Sequence, residues 1–155
     1  MRADVLAEAA RCKLQGDSLL SSGDAKAAVD AYGEALGHEP SFVSALANRA
    51  AARLASGDAA GAVDDCGAAL DIFESDDVVA GPVPPAGSAQ RRTWVLRTLA
   101  RRGAALSRCG RLDDAVADYE AAVAIAPDDE KLKSDLEKLR TEAAKATPAV
   151  EAALD

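Results

Sequence analysis

Positive charge is concentrated in one stretch of an otherwise acidic chain. Seven arginines lie between Arg91 and Arg111, and no acidic residue occurs between Asp77 and Asp113. The segments on both sides are acidic, so the 155-residue chain has a formal net charge of −8 at pH 7. Guanidinium groups bind carboxylates and phosphates through paired hydrogen bonds. The stretch therefore indicates an anion-binding site, which the rest of the chain must position.

The composition favours closely packed helices. Apolar residues make up 49% of the chain and aromatic residues only 3%, which favours stacked helices over sheets. The acidic balance argues against general binding to nucleic acids or anionic membranes. No apolar run approaches the roughly 20 residues of a membrane span, and the N-terminus lacks the apolar region of a signal peptide. Three scattered cysteines are typical of free buried thiols in a reducing compartment, so a cytoplasmic location is expected.

A pattern of small residues, glycines and helix-ending residues occurs three times, with a spacing of 34 residues between the first two copies. The copies are Gly16, Gly23, Ala28, Tyr32, Ala35 and Pro40; then Ala50, Gly57, Ala62, Cys66, Ala69 and Glu74; then Gly103, Gly110, Ala115, Tyr119, Ala122 and Pro127. Small residues allow neighbouring helices to approach, and the second glycine of the first copy suits a turn after a helix. Asp24 and Asp58 follow such glycines and suit the N-cap of the next helix.

This pattern resembles the tetratricopeptide repeat (TPR) over about residues 9–127. The resemblance implies an all-α fold of seven helices, with three helix–turn–helix repeats and a C-terminal capping helix in a right-handed superhelix. A single domain is expected at 1–146, with repeats at about 9–42, 43–76 and 96–129, an insertion at about 77–95, a capping helix at about 128–146 and a tail at 147–155. The expected helices span about 3–21, 24–37, 41–55, 58–73, 88–108, 111–125 and 128–146.

The insertion breaks the repeat once. A third unit should begin at residue 77 but begins at 96, and the intervening residues are rich in Pro and Gly, which prevents continuous helix. Two interpretations stay open, a solvent-exposed loop or a lid near the groove. Residues from about Ser88 are expected to extend the following helix, with Trp94 packed on the second unit.

The first helices of the three units are expected to line a concave groove. Positions facing it include Lys13 and Asp17 in the first unit, Ser44 and Asn48 in the second, and Arg97 and Arg101 in the third. The two arginines are four residues apart, which places them on one helical face. A lysine, an amide and two guanidinium groups that converge in this way suit a pair of carboxylates.

This residue set resembles the dicarboxylate clamp of co-chaperone TPR domains. That family grips the acidic C-terminal tails of heat-shock proteins 90 and 70, so the resemblance implies these partners. Lys13, Asn48 and Arg101 match the family pattern in type, and Arg97 replaces a lysine. Asp17 stands where the family has asparagine, so a weakened clamp is expected because a carboxylate repels the ligand's carboxylates.

Within this group the chain resembles the dynein axonemal assembly factors of the dyslexia-susceptibility type. The resemblance rests on the LANRAAARL and DDCGAALDIFE segments, the insertion, and RTLARRGAALSRCGRLDDAVADYEAAVAIAP. It implies a co-chaperone adaptor in the cytoplasmic preassembly of ciliary dynein arms, with other dynein assembly factors as further partners.

Other classes of function are less well supported. His38 is the single histidine, and the sequence has neither Cys/His metal spacing nor a phosphate-binding loop, so no enzyme, metal site or cofactor is expected. Acid pairs such as Asp64–Asp65 are expected to face solvent. Binding of nucleic acid would rest on the arginine stretch alone, which lacks interleaved aromatic residues. A TPR scaffold that binds another partner without a carboxylate clamp is the remaining alternative.

Overall fold

Seven α-helices account for the regular structure of residues 2–75 and 83–154, which are the residues that the computed structural model describes, with side chains up to residue 146. The helices are α1 (Arg2–Ser21), α2 (Ala25–His38), α3 (Val43–Ala55), α4 (Ala59–Glu74), α5 (Ala89–Arg108), α6 (Leu112–Ile125) and α7 (Glu130–Leu154). No strand occurs in these two ranges, and the all-α prediction is confirmed. Among the described helices, none combines the length and the apolar character needed to cross a membrane.

The helices pack in chain order. Each helix contacts the next, and α3 also contacts α1 and α5. The first helices of the three pairs therefore form one layer, α2, α4 and α6 form the other, and α7 covers α6. The core between them is built largely from alanines, two tyrosines and a few larger apolar side chains. Because alanine adds little bulk, the helix pairs can approach closely.

The turns within the helix pairs form as the sequence predicts. Gly23 and Gly57 have φ of 90° and 91°, a left-handed conformation that favours glycine. The next residues, Asp24 and Asp58, cap α2 and α4, and their carboxylates accept hydrogen bonds from backbone amides at 3.1 and 2.9 Å.

Two buried glycines receive tyrosine rings from the second helix of their unit. A Cβ atom at Gly16 would lie 2.6 Å from the ring of Tyr32, and one at Gly103 would lie 2.6 Å from the ring of Tyr119. Real Cβ contacts are essentially never this short, so these positions exclude larger residues. At the aromatic position of the repeat, the tyrosine ring thus occupies the space that the missing side chain of the glycine leaves on the first helix.

The end of α7 differs from the sequence prediction, and part of the predicted insertion cannot be compared with the structure. The capping helix α7 continues to Leu154, beyond the predicted end near residue 146, and Pro148 lies within it. The sequence after Leu139 is rich in alanine, which favours helix, and contains no glycine that would favour an end there. Residues 76–82 of the chain, which include the first six of the 19 residues of the insertion predicted at 77–95, lie outside the described residues. At the other end of the insertion, Ser88 caps α5 by accepting a hydrogen bond from the Arg91 amide at 3.1 Å.

Buried arginine–aspartate pairs join the two helices of the second and third units. Asp65 was expected to face solvent, but its side chain is only 4% exposed and is bound by Arg49 at 2.9 and 2.7 Å and by Arg53 at 2.9 Å. Arg102 binds Asp118 in the same bidentate manner at 2.8 Å. Both bidentate pairs have a spacing of 16 residues, which makes them part of the repeat.

The cysteines are free, but only two of them are buried. Cys12 and Cys66 lie in the interior, whereas Cys109 is exposed at the end of α5. The expectation of three buried thiols was therefore wrong for Cys109, which caps the helix rather than packing within it.

Candidate anion-binding groove

The concave surface of α1, α3 and α5 contains a pocket of about 240 Å³. Four of the five predicted site residues line it, one from α1, one from α3 and two from α5: Lys13, Asn48, Arg97 and Arg101. The other lining residues are Val43, Ser44, Ala47, Phe73, Trp94 and Thr98. No acidic residue is among them, so three positive charges and an amide donor face one pocket that is open to solvent on one side.

Asp17, the fifth predicted residue, lies behind this pocket at the centre of a hydrogen-bond network. Its Oδ2 lies 2.7 Å from Nζ of Lys13, one helical turn away. Its Oδ1 accepts hydrogen bonds from the hydroxyl of Tyr32 at 2.6 Å and from Nδ2 of Asn48 at 2.9 Å. The carboxylate therefore binds Lys13 and Asn48, two of the groups that the clamp would present to a ligand. Its third partner, the Tyr32 hydroxyl, was not predicted from the sequence.

The network changes the acidity of its members. Burial opposes ionisation of Asp17, but the hydrogen bonds from Lys13, Tyr32 and Asn48 outweigh it and lower the pKa of the Asp17 carboxyl. Burial, together with the hydrogen bond to the Asp17 carboxylate, raises the pKa of the Tyr32 hydroxyl well above its ordinary value. At neutral pH Asp17 is therefore ionised and Tyr32 is a neutral donor, so the four lining residues and Asp17 carry a net charge of about +2.

The two arginines of the pocket differ in how they are held. Nη1 of Arg101 donates a hydrogen bond of 2.6 Å to the carbonyl oxygen of Ala47, so this half-buried side chain is fixed across the groove onto α3. Arg97 is exposed and makes no ion pair within the part of the chain that the structure describes. Both guanidinium groups keep donors free for a ligand, and that of Arg101 is also held against α3 by its hydrogen bond.

Most of the remaining arginines in the 91–111 stretch have structural partners. Arg91 donates to the carbonyl of Phe73 and lies over its ring, with 5.6 Å to the centroid. Arg108 donates to the carbonyl of Leu54 at 3.1 Å, and Arg111 pairs with Asp114 at 2.8 Å. Arg91, Arg108 and Arg111 therefore connect helices or turns rather than facing the groove.

An apolar wall beside the cationic groups was not identified from the sequence. Phe73 comes from the end of α4, Trp94 from the start of α5 and Val43 from the start of α3. Trp94 is half-buried and packs against the core, and it lines the pocket together with Val43 and Phe73 of the second unit. The pocket therefore combines an anion-binding half with an apolar half.

The chain has the fold of TPR domains. It is similar to the first TPR of Spaghetti (RPAP3) bound to the HSP90 peptide SRMEEVD, with 23% identity, a TM-score of 0.72, and 90% of this chain and 95% of that chain covered. It is also similar to the second TPR domain of human RPAP3 in complex with the HSP70 peptide SGPTIEEVD, with 21% identity, a TM-score of 0.68, and 90% and 98% covered. A C-terminal TPR-containing domain of a putative FK506-binding protein from Plasmodium falciparum matches with 16% identity, a TM-score of 0.75, and 96% of both chains covered.

By sequence, the chain belongs to the family of the bacterial transcriptional activator domain, whose model matches residues 41–154. No curated protein sequence matches the chain. The matched range begins before α3 and ends with α7, so it includes two of the three groove-lining helices.

Proposed function

We propose that the groove binds the C-terminal end of an acidic peptide and that the domain acts as an adaptor between proteins. The observation that carries this proposal is the convergence of Lys13, Asn48, Arg97 and Arg101 on one acid-free pocket. A chain end brings two carboxylates when its last residue is Asp or Glu. Fork-shaped guanidinium groups and an ammonium group bind such pairs with good geometry.

The apolar wall of Phe73, Trp94 and Val43 adds a requirement to this ligand. An aliphatic side chain next to the terminal acid would lie against the wall while the carboxylates reach the cations. The peptides bound to the RPAP3 domains, SRMEEVD and SGPTIEEVD, both have Glu-Glu-Val-Asp at the end. Their chemistry fits the two halves of this pocket, which supports heat-shock protein 90 or 70 tails as the ligand class.

The proposal extends to where the domain acts and to the assembly that it serves. Co-chaperone activity in the cytoplasm follows from the proposed ligand and from the free thiols. A role in the preassembly of axonemal dynein arms rests on the sequence resemblance alone and stays a prediction. Co-expression with a dynein heavy chain and heat-shock protein 90 would test it, because the proposal expects recovery of the three together.

The alternative is a TPR scaffold that binds a different partner without a clamp. Two observations favour it: Asp17 engages Lys13 and Asn48 internally, and the family to which the chain belongs is described as a transcriptional activator domain. In that case the domain would bind another component of a bacterial transcription system. Such binding would survive loss of Arg97 and Arg101, which the clamp proposal excludes.

The decisive experiment compares two forms of one peptide. A labelled Met-Glu-Glu-Val-Asp peptide with a free C-terminus is titrated with the protein, in parallel with the same peptide carrying a C-terminal amide. We expect the amide to bind at least about tenfold more weakly, because one of the two clamped carboxylates is removed. Equal affinity for the two forms would contradict a carboxylate clamp.

Replacing Asp17 by asparagine should strengthen peptide binding. The change removes a negative charge behind the pocket and frees Lys13, while the side-chain oxygen of asparagine can still accept from Tyr32 and Asn48. Because the Asp17 side chain is 31% exposed, the repulsion removed is worth about 1 kcal/mol, or about fivefold in affinity. Asp30→Asn is the control, since it makes the same charge change at an exposed position of α2 and should leave affinity unchanged.

A further inference from the structure

A second group of ligand-forming side chains lies between α1 and α2, apart from the groove residues. Glu8 and Cys12 are one turn apart on α1, and Glu34 and His38 are one turn apart near the end of α2. One ligand atom from each of Glu8, Cys12 and His38 lies within 4.8 Å of the others. Oε2 of Glu34 lies 3.9 Å from Sγ of Cys12. Two i, i+4 pairs on neighbouring antiparallel helices thus meet at one point.

We propose that Glu8, Cys12, Glu34 and His38 bind a divalent, thiol-preferring metal ion, with Zn²⁺ as the best match. Zinc accepts thiolate, imidazole and carboxylate ligands in a tetrahedral arrangement. Its ligand bonds of about 2.0–2.3 Å place the ligand atoms about 3.3–3.8 Å apart. The ligand atoms of Glu8, Cys12 and His38 therefore need to approach one another by at most about 1–1.5 Å, and Oε2 of Glu34 already lies 3.9 Å from Sγ of Cys12.

The surroundings of the thiol suit this chemistry. Cys12 is buried, with a relative exposure of 1%, while Glu34 and His38 are exposed and free to rotate toward it. On binding, the S–H bond breaks, the proton leaves to solvent and a bond from sulfur to the metal forms. No change in oxidation state is required.

One competing contact must be released. Both carboxylate oxygens of Glu8 accept hydrogen bonds from Arg11. The Arg11 side chain is 64% exposed, so water can take over its hydrogen bonds at little cost. With a neutral imidazole, one thiolate and two carboxylates, bound Zn²⁺ leaves one net negative charge, which Arg11 remains close enough to offset.

The site would tie the middle of α1 to the end of α2. A metal ion there would supply a fixed connection between the two helices. The proposal uses none of the groove residues and is independent of the proposed peptide ligand.

The test measures Zn²⁺ affinity of the full chain by competition with a chromophoric chelator. We expect one ion per chain, and a loss of affinity of at least about tenfold in Cys12→Ser and in His38→Ala. Cys109→Ser is the matched control, because this exposed cysteine lies far from the group in sequence and should leave affinity unchanged. Cys12→Ser is nearly isosteric and His38 is exposed, so both variants should fold.

Co²⁺ gives a second readout that reports the sulfur directly. Wild type and Cys109→Ser should show a thiolate-to-cobalt charge-transfer band, and Cys12→Ser should lack it. Glu34→Gln should also weaken Zn²⁺ binding, and unchanged affinity would remove Glu34 from the site. If the Cys12 and His38 variants bind Zn²⁺ as tightly as wild type, or if wild type binds none at micromolar concentration, the proposal is wrong.

Discussion

Arg101→Ala should reduce the affinity for an acidic C-terminal peptide by about 100-fold. Arg101 is half-buried in the groove, and its hydrogen bond to the Ala47 carbonyl holds the guanidinium group in place before any ligand arrives. Loss of a preorganised, charge-assisted contact costs about 2.8 kcal/mol, which corresponds to a factor of about 100 in affinity. Fluorescence anisotropy with a labelled Met-Glu-Glu-Val-Asp peptide measures this change.

Two further variants separate the geometry of Arg101 from its charge. Arg101→Lys keeps the charge but loses the planar guanidinium group with its paired donors, so it should recover only part of the affinity. Arg92→Ala removes an exposed arginine of the same helix that does not line the pocket, and should leave affinity within about twofold of wild type. Wild-type affinity in Arg101→Ala, with unchanged thermal stability, would exclude the clamp.

Asp65→Asn should destabilise the fold by about 3 kcal/mol. The Asp65 carboxylate is nearly inaccessible and neutralises both Arg49 and Arg53, whose side chains are 20% and 23% exposed. Removing its charge leaves two guanidinium groups crowded together against an amide, a situation that typically costs about 3–5 kcal/mol. We take the lower value because the arginines retain some contact with water. For a domain of this size the midpoint of thermal unfolding should fall by about 6–12 °C.

Asp64→Asn provides the control for this measurement. Asp64 is adjacent in sequence and exposed on α4, so the same chemical change should alter the free energy of unfolding by less than about 0.5 kcal/mol. If Asp65→Asn were equally mild, the buried pair would contribute specificity of packing rather than stability.

The helices could be predicted from the sequence because their signals are local. Gly23 and Asp24 mark one helix end and the next helix start, and the predicted boundaries of the first six helices agree with the structure within two residues. The convergence of Lys13, Asn48 and Arg101 could also be predicted from the sequence, because the period of the repeat determines which positions lie on the same face. Whether these residues bind a peptide stays a prediction.

Other features depend on contacts between residues distant in sequence. Nothing local indicates that the Tyr32 hydroxyl reaches Asp17, or that Phe73 and Trp94 form one wall. The burial of Asp65 could have been found, because Arg49 and Asp65 recur as Arg102 and Asp118 with the same spacing. The first unit has Gln15 and Ala31 at these positions, which obscured the pattern.

The two groove arginines are held differently, so we expect Arg97 to act on the rate at which a ligand binds and Arg101 on the rate at which it dissociates. Arg97, exposed and unanchored, extends its charge into solvent and can meet an approaching anion early. Arg101, held on the Ala47 carbonyl, can contribute only after the ligand has lost water and settled. Exposed charges act mainly on association rates and buried hydrogen-bonded ones on dissociation rates. Ionic strength would therefore set how quickly a chain end arrives, while the fixed guanidinium group would set how long it stays.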